Sequence, residues 1–242
     1  MYTHRQTTYY IIDVYIMMIS FLPKIAYSIC FILSCFLFDH HAYFVNGKKF
    51  PIPLNCLRYE CPSYDIIQTN MKEGFEIRKY NSAAWASTRL ISSTSFILAA
   101  NQAFLTLFNY TQGANDRARK FNLTAPVLID VYTPTPPSST RISSYVIYFY
   151  LPRKYQKRPP LSNKVSIVKL PPHEYAAVRR TSSAFLNQTN TAYEVSSLRN
   201  SLRGTSWVGA VTAPAAPLTA ASYNAPFELK DRVNEVIIWF DV

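Results

Sequence analysis

The chain has 242 residues, 49% of them apolar, 15% aromatic and 16% charged, with a formal net charge of +11. This composition excludes an intrinsically disordered chain and supplies the core of one large domain, or of a domain behind a targeting segment. The positive balance favours anionic partners such as membrane surfaces, cell-wall polymers or acidic ligands, with plain solubility as the alternative.

Residues 1–46 read as a signal peptide or signal anchor. "IAYSICFILSCFLF" (25–38) is an apolar run preceded by Lys24 and followed by small residues. It is shorter than the roughly 20 residues that span a bilayer, and its layout is that of a secretory signal. Ala42 and Gly47 are the candidate cleavage points. Left uncleaved, residues 9–38 would hold the protein at a membrane. A chain starting at Met17 or Met18 would carry a more ordinary signal, so residues 1–16 are a candidate misassigned start. The expected location is the secretory pathway, ending outside the cell, which excludes nucleic acid as a partner. Arg5, Lys24, Asp13 and Asp39 cancel, so residues 47–242 carry the whole positive charge.

Cys30 and Cys35 lie in the apolar run, leaving Cys56 and Cys61 in "NCLRYEC". In an oxidising compartment this pair closes a small loop; otherwise it is two thiols or half of a metal pair, with no second Cys or His pair to complete a zinc site. Sequons stand at Asn109, Asn122 and Asn187, the last in the most polar surroundings.

The remaining chain reads as two half-domains, about 75–152 and 165–242. "EIRKYNSAAWASTR" (76–89) parallels "SIVKLPPHEYAAVR" (166–179), matching Ile77 with Ile167, Lys79 with Lys169 and Arg89 with Arg179. Each predicts two strands around a tight turn. A helix is expected over 95–113, with Phe96, Ile97, Ala100, Phe104, Leu107 and Phe108 at helical spacing. A second is expected over 191–204, with Ala192, Val195, Leu198 and Leu202 on one face. Gly113 and Gly204 are the stops. "LTAPVLI" (123–129) is then paired with "YNAPFEL" (223–229), taking 211–222 as an inserted loop, and strands over 144–152 and 235–242 close each half. Pro126 and Pro226 fall at strand starts or edges. Neither half is large enough to bury a helix and a sheet face alone, so the expectation is one antiparallel sheet, curled or closed into a barrel, with two helices against it and a ligand-binding cleft where the halves meet.

Catalytic constellations are sparse. His173 is the single histidine after residue 46 and reads as an exposed turn residue. Glu73, Glu76, Asp231 and Glu235 form no recognisable acid–base pair. The five glycines make no phosphate loop, and no Gly-x-Ser-x-Gly elbow occurs. The expectation is a binding protein and not an enzyme, with no metal site.

In order along the chain, "CPSYDIIQT", "FEIRKYNSAAWAST", "FNYTQGAND", "LTAPV", "YFYLPRKYQKRPP" and "YNAPFELKDRVNE" together resemble the SOUL haem-binding protein family, particularly its secreted-type plant members, over residues 56–242. The resemblance implies an α+β fold: two pseudo-symmetric repeats forming a distorted eight-stranded antiparallel β-barrel flanked by two helices. It also implies non-catalytic binding or sequestration of haem or another tetrapyrrole as the small-molecule partner. On that basis Phe104, Leu105 and Phe108 would line an apolar groove beside the first helix, and Arg89, Arg117, Arg119 or Lys120 would meet the propionates. Some haem-binding members carry basic residues on that helix where Asn101 and Asn109 stand here, and the usual "MTAP" is "LTAP" with Leu123. Binding without strong axial ligation of the iron is therefore expected. The alternatives are a binder of another apolar anion, such as a fatty acid or phenolic, and a protein-interaction module using the basic surface.

Overall fold

The computed structural model describes residues 52–132, 142–181, 186–208, 217–225, 228 and 232–241. The expected targeting segment 1–46, Pro226 and Asp231 lie outside the described residues.

Strand and helix placement follows the alternation of the sequence closely. The strands are β1 (Tyr64–Asn70), β2 (Phe75–Tyr80), β3 (Ala83–Ser87), β4 (Ile91–Ser93), β5 (Val127–Tyr132), β6 (Ser143–Tyr150), β7 (Ser166–Leu170), β8 (Tyr175–Thr181), β9 (Leu218–Ser222) and β10 (Asn234–Phe240). The helices are α1 (Phe96–Thr111) and α2 (Gln188–Leu202). All strand pairs are antiparallel, in the order β1-β2-β8-β10-β9-β5-β6-β3-β7, with β4 added on β6. The sheet curls into a half-barrel with the two helices against it, an α+β architecture.

Ten strands replace the eight expected. β4 has three residues, and β1 is a partly exposed edge strand whose apolar pair, Ile66 and Ile67, points to opposite faces. Neither leaves a clear alternating signal.

The pairing of "LTAPVLI" with "YNAPFEL" is corrected. β5 follows Pro126 directly, whereas β9 ends at Ser222, before the second Ala-Pro. The strand taken as 223–229 is therefore 218–222, inside the stretch read as a loop. Alanine-rich β9 is buried between β5 and β10, where small side chains suit a crowded sheet. Exchanging 75–152 with 165–242 swaps β2 with β7, β3 with β8, β5 with β9 and β6 with β10, and these eight strands then run in the same order read from the opposite edge, with β1 and β4 outside the exchange.

One sheet face carries the helices. Phe75 and Ile77 of β2 pack with Val195, Leu198 and Leu202 of α2. Ala99, Ala103 and Leu107 of α1 pack with Ile129, Ile147 and Phe149. The opposite face gathers Trp85, Leu128, Tyr148, Val178 and Ile237. Beside them lies a buried ionic group: Arg78 donates through both terminal nitrogens to Glu235, at 2.9 Å each, and through Nε to Glu76 at 2.8 Å. Arg180 and the Tyr223 hydroxyl also donate to Glu235, at 3.0 and 2.8 Å.

The core face of α1 is rotated from the expected one. Phe96, Ala99, Ala103, Leu107 and Tyr110 are buried, while Ile97, Ala100 and Phe104 turn toward a cavity. No charged residue occurs in this helix, and its polar arc of Asn101, Gln102, Thr106 and Asn109 is interrupted by exposed Leu98 and Leu105, which blurs the orientation signal. Ser95 caps it by accepting from the Leu98 N–H at 3.3 Å. In α2, Thr191 takes the buried place expected of Ala192, and the helix begins three residues early because Asn187 caps it. Gly113 and Gly204 follow the helices with φ of 111° and 76°, a conformation in which glycine carries no Cβ penalty.

Candidate functional site

A cavity of about 390 Å³ lies between α1 and the sheet. Helix α1 contributes Phe96, Ile97, Ala100, Asn101 and Phe104 to one wall. The facing wall is Val127 and Ile129 of β5 with Ile147 and Phe149 of β6. Strand alternation explains the choice: odd-numbered residues of both strands face the helix. Phe104 meets Phe149 edge-on at 5.6 Å and stacks on Phe108 at 5.8 Å. Small Ala99 and Ala103 bring α1 close to the sheet on one side, and the cavity opens along the other.

The rim is more polar. Ser222, Tyr223, Asn224 and Ala225 enter from the end of β9, and Tyr59 from the loop between Cys56 and Cys61. Those cysteines form a disulfide. The backbone oxygen of Glu60 accepts from the Ala125 N–H at 3.1 Å, which seats the loop beside the "LTAP" segment. Arg232 is the one charged residue on the cavity wall among the described residues. It donates to the backbone oxygens of Ala225 and Glu228 and to Ser222 Oγ, folding the chain after β9 over the cavity. Burial draws its pKa down, and Glu228 pulls it partly back.

A second, more open cleft adjoins the first and shares Tyr59 and Leu123 with it. Its other walls are Arg58, Phe108, Gln112, Lys120, Phe121 and Asn122.

The expected ligand set is thus divided. Phe104 lines the main cavity, and Phe108 and Lys120 line the second cleft. Leu105 is 60% exposed and lies on neither wall, because one residue's step around the helix carries it past the cavity. Arg89 donates to the Asn163 backbone oxygen and Arg117 to that of Arg158, at 3.3 and 3.2 Å. Arg119 is exposed in a turn organised by Asn115. These three arginines line neither cavity. Sequence reasoning missed Tyr59, Arg58 and Arg232. Their signals were present: two lie inside the cysteine loop, and Arg232 stands in "YNAPFELKDRVNE".

The cavity walls carry no histidine, cysteine, methionine or carboxylate among the described residues. Of the two wall tyrosines, Tyr223 is committed to Glu235, and burial raises its pKa well above the ordinary value. His173 lies away from the cavity, with its Nδ1 2.9 Å from Asp241. Elsewhere among the described residues, no group of three His, Cys, Asp or Glu side chains is placed to hold a metal ion. The described walls are thus aromatic and aliphatic, with one guanidinium that is itself engaged by Ser222, Ala225 and Glu228.

Fold and site together define an α+β half-barrel with an apolar cavity under its first helix. The chain belongs to the SOUL heme-binding protein family, which it matches over residues 59–239. It is 32% identical over 162 residues to heme-binding protein 2 of Mus musculus, covering 67% of this chain and 76% of that protein. Its identity with heme-binding protein 2 of Homo sapiens is 30% over the same length and coverage. Among solved structures it is similar to a hydrolase from Listeria innocua, at 8% identity and a TM-score of 0.43 over 69% of this chain and 91% of the other. An uncharacterized conserved protein of that organism gives 9% and 0.44 over the same shares. Likeness at this level says nothing about function.

Proposed function

We propose that the protein binds or sequesters haem or a related tetrapyrrole, without catalysis, in the cavity beneath α1. The carrying observation is that cavity itself, in a chain whose curated relatives are named for heme binding. Phe96, Phe104 and Phe149 offer ring faces and edges to a macrocycle, and burial of apolar surface supplies the affinity, at about 25 cal/mol per Å². With haem bound, the described walls would offer no imidazole, thiolate or thioether to the iron, so the ring and the carboxylates would carry the binding. Membership of a heme-binding family, with relatives named for heme binding, supports a binding role.

The Cys56–Cys61 disulfide supports a secretory route. Asn109, Asn122 and Asn187 are all exposed, as glycan acceptors must be. A glycan on Asn109 would share the outer surface of α1 with the cavity mouth.

A second reading is a carrier of another apolar acid. The apolar walls with polar Asn101 and Tyr59 at the rim favour it, since they suit an aliphatic or aromatic body with a polar end as well as a macrocycle. Haem titration of the protein, followed by absorbance, tests the first reading beside Phe104→Glu. A saturable Soret shift, weakened more than about tenfold by a buried charge in the variant, is expected. An equal shift in both proteins would remove the ligand from this cavity. Displacement of a fluorescent fatty acid without any Soret shift would favour the second reading, and binding of neither would leave the basic surface as the working face.

A further inference from the structure

The second cleft adds a feature that an apolar cavity lacks. We propose that the cleft between the disulfide loop and residues 120–123 is an anion subsite, which takes the carboxylate end of a ligand whose apolar body fills the cavity under α1. This rests on the cavity reading above.

Three observations carry it. First, the two spaces are neighbours: Tyr59 and Leu123 line both, so a molecule lying across them passes directly from apolar to polar walls. Second, the cleft holds two cations, Arg58 and Lys120, and no carboxylate among its described walls. Glu228 pairs with Arg58 at 3.1 Å, which fixes the guanidinium and leaves the Lys120 charge in excess. Third, the cationic wall is held in place. The Cys56–Cys61 disulfide closes the loop that presents Arg58 and Tyr59. The Glu60 carboxylate accepts from the Arg153 N–H at 2.6 Å, and its backbone oxygen from Ala125, so the loop is fastened at Glu60 to two neighbouring segments. Arg58 also lies 5.4 Å from the centre of the Tyr59 ring, which orders the pair further.

The chemistry that fits is an amphipathic acid with its carboxylates at one end of a flat or elongated apolar body. With Arg58 balanced by Glu228, the Lys120 ammonium in excess discriminates a carboxylate from its ester, because an ester accepts hydrogen bonds without carrying charge. Arg232, on the main wall, is spent on folding the chain after β9 over the cavity; Arg58 and Lys120 face the more open, solvated side, where an acid group enters at lower desolvation cost.

The test compares protoporphyrin IX with its dimethyl ester, by fluorescence titration of the protein, of Phe104→Glu, and of the double variant Arg58→Gln/Lys120→Gln. The expected result is that the acid binds about tenfold tighter than the ester, that the double variant abolishes this preference, and that it leaves ester affinity unchanged. Unchanged ester binding shows that the double variant is folded. Equal affinity for acid and ester, or an acid preference that survives in the double variant, would overturn the subsite. If Phe104→Glu still abolished binding in that case, the cavity reading would stand. Failure of both porphyrins to bind the unaltered protein would overturn both.

Discussion

Asn101 stands exposed at the cavity rim, at a position where the family resemblance leads one to expect a cation. The side chain is polar and uncharged, so it offers a carboxylate a hydrogen bond but no charge. With the acid end seated beside Tyr59, Asn101→Lys should leave porphyrin acid and dimethyl ester affinities within about twofold of the unaltered protein, as read by the same titration. A gain of about tenfold for the acid alone would place the acid groups at this rim and contradict the subsite beside Tyr59. Arg232 acts at a different level. Its bonds to Ala225, Glu228 and Ser222 close the polypeptide over the cavity, and Asn224 completes the closure by accepting from the Val233 N–H at 2.8 Å. Arg232→Ala should weaken porphyrin acid and ester alike, by about tenfold, because it opens the wall instead of removing a carboxylate partner. Loss of acid binding alone would contradict that assignment.

The two helices show how local signals translate into elements, and where they mislead. Asn187 accepts from the Asn190 N–H at 2.9 Å, while Asn190 Oδ1 accepts from the Asn187 N–H at 2.8 Å, a reciprocal cap on α2. The same asparagine is a sequon, and its cap uses the oxygen while a glycan uses the nitrogen. Asn187→Ala should cost about 1 kcal/mol and Asn187→Asp much less, since aspartate caps as well. Both lose any glycan, so thermal melting separates the cap from the modification. Strands around "FEIRKYNSAAWAST" and "SIVKLPPHEYAAVR" were legible because alternation and turn residues coincide there. The Ala-Pro echo was not a guide: strand pairing obeys sheet register, and β9 meets both β5 and β10 four residues before Pro226. The side of α1 that faces the ligand cavity was illegible for another reason. Phe104 and Phe108 share one side of this uncharged helix and Leu105 turns away from them, and the packing of Ala99 and Ala103 on the sheet sets which side meets the cavity.

Across the whole molecule, the sheet face away from the helices holds ionised groups that bind β2, β8 and β10 together. Arg78, Glu76 and Glu235 are essentially inaccessible to solvent, and the Arg78 guanidinium lies 4.4 Å from the Tyr64 ring centre. Burial alone would raise the Glu235 pKa, but Arg78 and Arg180, with the hydrogen bonds from Arg78 and Tyr223, bring it down from 4.5 to about 2. A carboxylate lowered on folding adds stability above its unfolded pKa, so this contribution is complete above about pH 4.5 and is lost as pH falls toward about 2. Glu235→Gln leaves two guanidinium groups short of their counter-charge and should cost about 3 kcal/mol or more at pH 7, a deficit that shrinks through that acid window. Asp130 runs the other way. Its burial raises the pKa above 3.8, only partly offset by hydrogen bonds from Thr219 and Tyr148, at 2.7 and 2.9 Å. Its protonated form favours the fold, so its contribution is present below pH 3.8 and is lost as pH rises through the folded value. Asp130→Asn keeps one acceptor oxygen and turns its amide N–H toward the other hydroxyl, which can accept it, and with no charge to bury should raise the melting temperature at pH 7, with the gain vanishing below pH 3.8. Urea denaturation of both variants from pH 2 to 8 checks the pair of signs. Parallel pH profiles for the two would mean that neither buried carboxylate sets the acid stability, and that surface charge on a +11 protein does.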